Sequence, residues 1–389
     1  MTSTRHIAAR WYAFGYLREV VLIYPVYAIM MGANGIAPLE LSALFIVWSG
    51  SALVFEVPSG VLADRYSRKR LLGASGLVKG CVFVVWWFAP NFWGYLSGFI
   101  VWGFGSSLVS GTSESFLFDT LKQRGQTDAF ARIYGRGLMA NSLGVATALA
   151  GGGYAARAGY ALPLVASALM PMAASLIVAL TFVEPPRSAA LSHPRFTGTL
   201  AAGLKEVRSN RTMLRIVAMF ATLVTAYGVL DEYVGPFLIE TREFSLGAIG
   251  VIYASLYAMR TLGMEAAHRL PPRSLRATAV VLAVGTLALA ASTLVGGIAI
   301  AVAIGVYFAL SAASEVLLQT QLQHEIEGSA RATVTSLAKM AQHACEPAYL
   351  LYIGAIAQVW SFSAAFVAVA ALTFALAIVF ATIAPAQGR

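Results

Sequence analysis

Residues 60–72 read GVLADRYSRKRLL, and five of them, Asp64, Arg65, Arg68, Lys69 and Arg70, are charged. Charged residues make up only 12% of the 389-residue chain and apolar ones 58%, so this basic knot is conspicuous. The stretches around it explain its setting. Residues 80–113, 277–314 and 347–388 contain no Asp, Glu, Lys or Arg. A helix that crosses a bilayer takes about 20 apolar residues, and a helix lying on a soluble core shows a polar face at helical period. These runs show none. The sequence is that of an all-α, polytopic membrane protein, with the lipid bilayer as its solvent.

Twelve spans are expected, at roughly 9–32, 39–61, 71–89, 93–118, 130–154, 160–183, 213–237, 246–265, 275–294, 297–320, 334–357 and 361–384. Their connections are short except for 184–212, which is Pro-containing and of mixed charge. The expected organisation is therefore a six-helix bundle over 1–183, a linker over 184–212 and a second six-helix bundle over 213–389. The first apolar segment follows Arg5 and Arg10 directly and is too long for the core of a signal peptide, so no cleaved leader is expected. Cys81 and Cys345 both fall inside expected spans, where a lone thiol is a packing residue.

Positive charge follows topology. The N-terminus and the even-numbered connections hold Arg5, Arg10, Arg65, Arg68, Lys69, Arg70, Lys122, Arg124, Arg187, Arg195, Lys205, Arg208, Arg211, Arg269, Arg273 and Arg331, against only Arg157 and Arg242 in the odd-numbered ones. Basic loops stay in the cytoplasm. Both termini are thus expected there, in a cell membrane, and the knot at 65–70 becomes a cytoplasmic turn between spans two and three. The net charge of +9 is a topology signal on this reading and implies no nucleic-acid partner. The halves also echo each other: SGTSESFLFDTL at 110–121 resembles SAASEVLLQTQL at 311–322, with Glu114 and Glu315 in register. Internal repeats of this kind mark transporters that bind substrate at the repeat interface.

The knot resembles the signature loop of the major facilitator superfamily, Gly-x-Leu-Ala-Asp-Arg-x-Gly-Arg-Lys-x-x-Leu. Gly60, Leu62, Ala63, Asp64, Arg65, Arg68, Lys69 and Leu72 match it, and Ser67 stands where the family usually has Gly. The resemblance implies a fold of two pseudo-symmetric six-helix bundles with spans one, four, seven and ten around a central cavity. It also implies a conformational latch: Gly60 for close packing and a turn, Asp64 facing the N-terminus of span eleven, and Arg68 paired with an acid at the end of span four, for which Asp119 is the candidate. A second signature, found on span five of antiporters, is matched in part by Gly135, Gly144, Gly152 and Gly153, with Ala148 and Leu149 replacing a Gly and a Pro. These small residues are expected to let span five pack against a helix of the other half. A third, the proton-linked Arg of span four, is absent; FIVWGFG, at 99–105, stands there.

Ionisable groups in hydrocarbon are costly and mark functional sites by default. Arg18 and Glu19 lie in span one, Glu114 in span four, Asp231 and Glu232 in span seven and Glu315 in span ten. These six are the candidate substrate and proton residues, with Arg18 expected to pair with Glu19 or Glu114. Arg260, Glu265, Lys339, His343 and Glu346 sit nearer helix ends, where snorkelling explains them. No phosphate-binding loop, Cys/His metal spacing or nucleophile elbow is present. No enzyme, cofactor or metal is expected, and the proton gradient is the expected energy source. The function that fits is a monomeric secondary transporter. Proton antiport that exports a drug or secondary metabolite is the first expectation. Proton-coupled uptake of an organic anion or nutrient, with Arg18 as the anion contact, is the alternative. A non-transporting membrane sensor is the third reading.

Overall fold

The computed structural model describes residues 4–184, 204–268, 274–326 and 331–383, apart from Gly111 and Glu206; for Gly60 and Asp64 it describes the backbone alone. Most of the 184–212 linker lies outside the described residues. The chain divides into two units, residues 1–191 with 245–251, and residues 192–244 with 252–389.

In the first unit α1 (Thr4–Glu19) stops inside the apolar segment, and α2 (Tyr27–Ala33) resumes after it. α3 (Pro38–Arg65) and α4 (Arg68–Phe88) meet across the two residues Tyr66 and Ser67. α5 (Phe92–Ser107) and α6 (Thr112–Lys122) divide what the sequence suggests is one span, and α7 (Phe130–Ala155) and α8 (Ala161–Thr181) complete the unit. In the second unit α9 (Arg211–Met219) passes through a π turn at Phe220–Val224 into α10 (Thr225–Asp231), and α11 (Val234–Glu240) follows after a turn. α12 (Leu246–His268), whose first residues to Val251 belong to the first unit, α13 (Leu275–Ala291), α14 (Ile298–Glu325), α15 (Arg331–Val359) and α16 (Phe362–Ile383) follow. The described elements are all helical, and eight helical stretches among them are long and apolar enough to cross a membrane. The other expected spans fall on α1–α2, which is broken; on α7, which is rich in glycine; on α13, which is shorter; and on α15, which carries Lys339, His343 and Glu346.

Local chemistry sets the helix ends. Asn91 accepts from the N–H groups of Trp93 and Gly94, both at 3.1 Å, and Asn210 from those of Thr212 and Met213 at 2.9 and 3.2 Å. Each satisfies donors that the first turn leaves open. The basic knot differs from its expected form. α3 runs on past Gly60 and Asp64 to Arg65, so Gly60 is inside a helix and the turn falls at Tyr66–Ser67. Ser67 then caps α4, accepting from Arg70 N at 3.1 Å and donating its hydroxyl to Glu184 at 2.5 Å. The Glu184 carboxylate also accepts from Arg68 N and Lys69 N, each at 2.9 Å. A hydroxyl at this position thus does work that a glycine cannot.

Of the span-five glycines, Gly144 and Gly152 pack differently from expectation, whereas Gly153 meets span eight. A Cβ on Gly144 would meet the Tyr16 carbonyl and lie 3.2 Å from Glu19 Cβ, and one on Gly152 would meet the Leu22 carbonyl. Both glycines therefore abut span one of their own unit. Gly153 lies against the Leu246 carbonyl and Gly250, at the start of α12, and Gly135 has nothing within 4 Å. The reason is span one itself: with its backbone bulging between Glu19 and Tyr27, only a neighbour without side chains admits it.

Gly152→Val is expected to destabilise the protein by about 1–3 kcal/mol, the usual cost of overpacking. Gly135→Ala should leave it unchanged or raise its stability by up to about 1 kcal/mol, the helix-propensity gain. Thermal unfolding of the purified protein in detergent checks both; equal melting temperatures for the two variants would contradict the packing.

Candidate functional site

The break in span one exposes backbone groups at membrane depth, where irregular chain survives only if buried in protein or lining a water-filled cavity. Here the partners are specific. Val20 N bonds back to Tyr16 O at 3.1 Å and Val21 N to Glu19 O at 2.9 Å. Ile23 N donates to the buried Ser167 hydroxyl of α8 at 2.9 Å. At the end of α1, the Arg18 carbonyl accepts from Lys79 Nζ, on α4, at 3.1 Å.

Lys79 organises the site. Its ammonium also donates to Glu19 Oε2 at 3.1 Å and to the Tyr24 hydroxyl at 2.9 Å. An ammonium has three protons to give and accepts nothing, and three acceptors surround this one. Tyr24 passes its own proton on to Glu19 Oε2 at 3.3 Å. The other carboxylate oxygen, Oε1, takes Arg18 Nη2 at 2.6 Å. Side-chain exposure is 10% for Lys79, 15% for Glu19 and 19% for Arg18, so two cations and one anion share a protected space. Arg18 Nε is buried without a hydrogen-bond partner. Aromatic rings complete the surroundings: Lys79 lies 5.5 Å from the Tyr24 ring centre and 5.8 Å from that of Trp102, the two rings stack at 5.7 Å, and Arg18 sits 5.9 Å from Phe14. Such contacts add to cation binding when water is excluded.

Of the two expected partners for Arg18, the structure selects Glu19. Glu114 lies elsewhere, in the first turn of α6, and accepts from the Tyr134 hydroxyl of α7 at 2.9 Å. Its sequence mate Glu315 sits within the unbroken α14, so the repeat in sequence is not a repeat in local structure. Arg68 and Asp119 are brought together at 2.5 Å, within one unit. Arg65 is exposed, and the side chain of Asp64 lies outside the described residues.

Span seven carries the second polar cluster. α10 ends at Asp231 just as α1 ends at Glu19. Asp231 Oδ2 accepts from the Tyr257 hydroxyl at 3.0 Å, and its carbonyl from the Tyr253 hydroxyl at 3.0 Å, while Gly235 N donates to that same hydroxyl at 2.8 Å. Asp231 Oδ1, the Tyr227 hydroxyl and Arg260 Nε are buried without hydrogen-bond partners. The Arg260 guanidinium lies 5.4 Å from the Tyr227 ring centre, and Tyr227 is within electrostatic reach of Asp231 and Glu315. Glu232 is close enough to Glu346 to feel its charge, and Glu346 bonds His343 at 3.1 Å. Arg260 and Glu346 therefore belong to the cluster and are not merely snorkelling.

Lys79 is the residue that sequence reasoning passed over. Its signal is a lysine in the middle of LLGASGLVKGCVFVVWWF at 71–88, on span three, which the family resemblance does not place around the cavity. Among the described residues no group of His, Cys, Asp and Glu is arranged to hold a metal ion.

Helical bundles whose first spans break beside buried charge define a secondary transporter, since discontinuous helices present their open ends to substrates and ions. The chain belongs to the Major Facilitator Superfamily, whose family model matches residues 13–345. Its family and fold are those of transporters that bind small molecules, and it is a multi-pass membrane protein. It is 26% identical over 255 residues to the uncharacterized MFS-type transporter YxaM of Bacillus subtilis (strain 168), a match that covers 63% of this chain and 61% of that relative's length. Among solved structures it resembles a mutant of the nucleoside transporter NupG with a TM-score of 0.83 at 12% identity, covering 97% of this chain and 99% of that one. A bacterial homologue of the human lysosomal transporter Spinster follows at 0.74 and 16%, covering 98% and 96%. A D-xylose-proton symporter gives 0.72 and 12%, covering 99% and 98%. At these identities the likeness concerns the fold.

Glu19→Gln is expected to cost about 3–5 kcal/mol, because it leaves two buried cations without their carboxylate. In a Lys79→Met background the same change should cost at least about 1 kcal/mol less, as contacting residues couple. Unfolding of the four proteins in detergent reads the cycle; strictly additive costs would separate Lys79 from Glu19.

Proposed function

We propose that the protein is a proton-coupled symporter that takes up a small organic anion. One observation carries this reading: at the break of span one, two buried cations, Arg18 and Lys79, share a single carboxylate, Glu19. A buried charge without a counter-charge is costly, and an anionic substrate supplies the missing one. Arg18 is the contact, since its Nε has no partner and a guanidinium grips carboxylate or phosphate through two parallel bonds. The Lys79 ammonium, with its three bonds made, holds Glu19 and the end of α1 in place.

Proton coupling follows from the second unit. The buried Asp231 Oδ1 has no hydrogen-bond partner, and Glu232 neighbours a second acid, Glu346. Carboxyls in such places exchange a proton readily as their surroundings change. Direction follows from the membrane potential. Bringing a single negative charge inward against 100 mV costs about 2.3 kcal/mol, and a co-transported proton removes that cost. An exported anion would need no proton. The glycine spacing on span five, which favours export by antiport in the sequence, has another explanation in the seating of span one against Gly144 and Gly152. Cytoplasmic termini and a monomeric state are part of this proposal.

The test is uptake into proteoliposomes with an acidic exterior. Small carboxylates or organic phosphates should accumulate, and a protonophore should abolish the accumulation. Arg18→Lys keeps the charge but loses the planar fork, and should lower the rate at least about tenfold. Asp231→Asn should retain downhill exchange of labelled anion while losing accumulation. Better competition by neutral or cationic compounds than by anions, or accumulation that survives the protonophore, would overturn the reading.

A further inference from the structure

On the face where the basic loops gather, the first unit has an open crevice between α1, α6 and α8. Its chemistry is divided. Arg10 and Arg124 stand at its rim, and Trp11, Phe116 and Phe182 form its floor. The floor is rigid: Phe116 and Phe182 stack at 5.3 Å, and Trp11 and Phe182 at 6.2 Å. Arg10 spends one Nη1 proton on the Thr181 carbonyl at 2.9 Å, which fixes the guanidinium and leaves most of its donors for something else. Arg124 sits on a turn that Gly125 makes with a φ of +65°, a conformation that favours glycine. Thr4 donates to Gln126 at 2.6 Å and ties that turn to the start of α1.

From the crevice an apolar track leads along one face of α8. Val183, at its edge, is 64% exposed, and Leu180 and Leu176 beyond it are 74% and 57% exposed. Leu176 and Leu180, four residues apart, share one face of α8, and Val183 follows just past its end at Thr181. A ligand that fits the whole feature carries an anionic head for the two arginines and a hydrocarbon chain for the track.

We infer that this crevice is a binding site for an anionic phospholipid, its phosphate between Arg10 and Arg124 and an acyl chain along Leu176, Leu180 and Val183. Basic pockets between membrane helices hold anionic headgroups by the same combination. The site is separate from the charges around Lys79 and does not rest on the identity of the transported compound.

Native mass spectrometry of the purified protein, exchanged into micelles with phosphatidylglycerol or phosphatidylcholine, tests it without substrate present. The wild type should retain phosphatidylglycerol over phosphatidylcholine by about tenfold or more, the selectivity that two arginines at a membrane surface provide. Arg10→Gln/Arg124→Gln should abolish that preference. If the double variant does not fold, Arg124→Gln alone, which leaves the Arg10–Thr181 bond intact, should reduce it severalfold. Leu180→Gln should weaken long-chain phosphatidylglycerol while sparing the headgroup preference. Equal retention of the two lipids by the wild type, or undiminished selectivity in the arginine variants, would overturn the inference. So would displacement of the lipid by millimolar glycerol phosphate, which would make the site one for a soluble phosphate.

Discussion

Everything else in the first unit is arranged around one problem: a helix that ends in the middle of a membrane. The last carbonyls of α1 have no helical partners, and hydrocarbon offers none. Lys79 meets the need from a neighbouring helix, bonding the Arg18 carbonyl and the Glu19 carboxylate together. Ser167 takes the N–H of Ile23, and Gly144 and Gly152 remove the side chains that would collide with the displaced backbone. An ammonium at the open end of a helix also sits where the dipole favours positive charge. The arrangement explains how Arg18 is tolerated. Its charge is offset by Glu19 and its flank covered by Phe14, yet the site remains one negative charge short.

The second unit solves a similar problem with different chemistry. α10 also ends at an acidic residue. Tyrosine hydroxyls do the work instead: Tyr253 bridges the Asp231 carbonyl and Gly235 N, and Tyr257 holds the carboxylate. Hydroxyls satisfy backbone without neutralising charge. The hydrogen bond on the Asp231 carboxylate thus comes from a neutral group, whereas Glu19 is bonded to two cations.

Much of this was legible in the sequence. Long apolar runs are one-dimensional signals, and so is the family signature from Gly60 to Leu72. The acids and arginine on spans one and seven announced themselves by the expense of placing charge in lipid, and Arg18, Glu19 and Asp231 do lie at helix breaks. What was not legible depended on backbone geometry. Pro25, in VVLIYPVYAIMM at 20–31, marks a break or kink, but nothing there says that helix is lost all the way from Val20 to Val26, because a membrane segment is apolar whether it is coiled or not. Without the break there was no reason to bring Lys79 to Arg18, or to aim Gly144 and Gly152 at span one. Ser67 departs from the family pattern, and its role depends on Glu184, which only the fold brings beside it.

The π turn at Phe220–Val224 has a further consequence. Such a turn is geometrically a one-residue insertion in an α-helix, and each residue of helix advances the side-chain direction by about 100°. Everything from Thr225 to Asp231 is therefore rotated relative to the path that α9 alone would have set. That rotation decides which member of the pair Asp231–Glu232 meets Tyr257 and which turns toward Glu346. The register of the acids is thus set two turns upstream, by a stretch, FATLV, that carries no charge at all. An evolutionary loss of one residue there would keep every ionisable group and yet bring Glu232 to the place that Asp231 now holds.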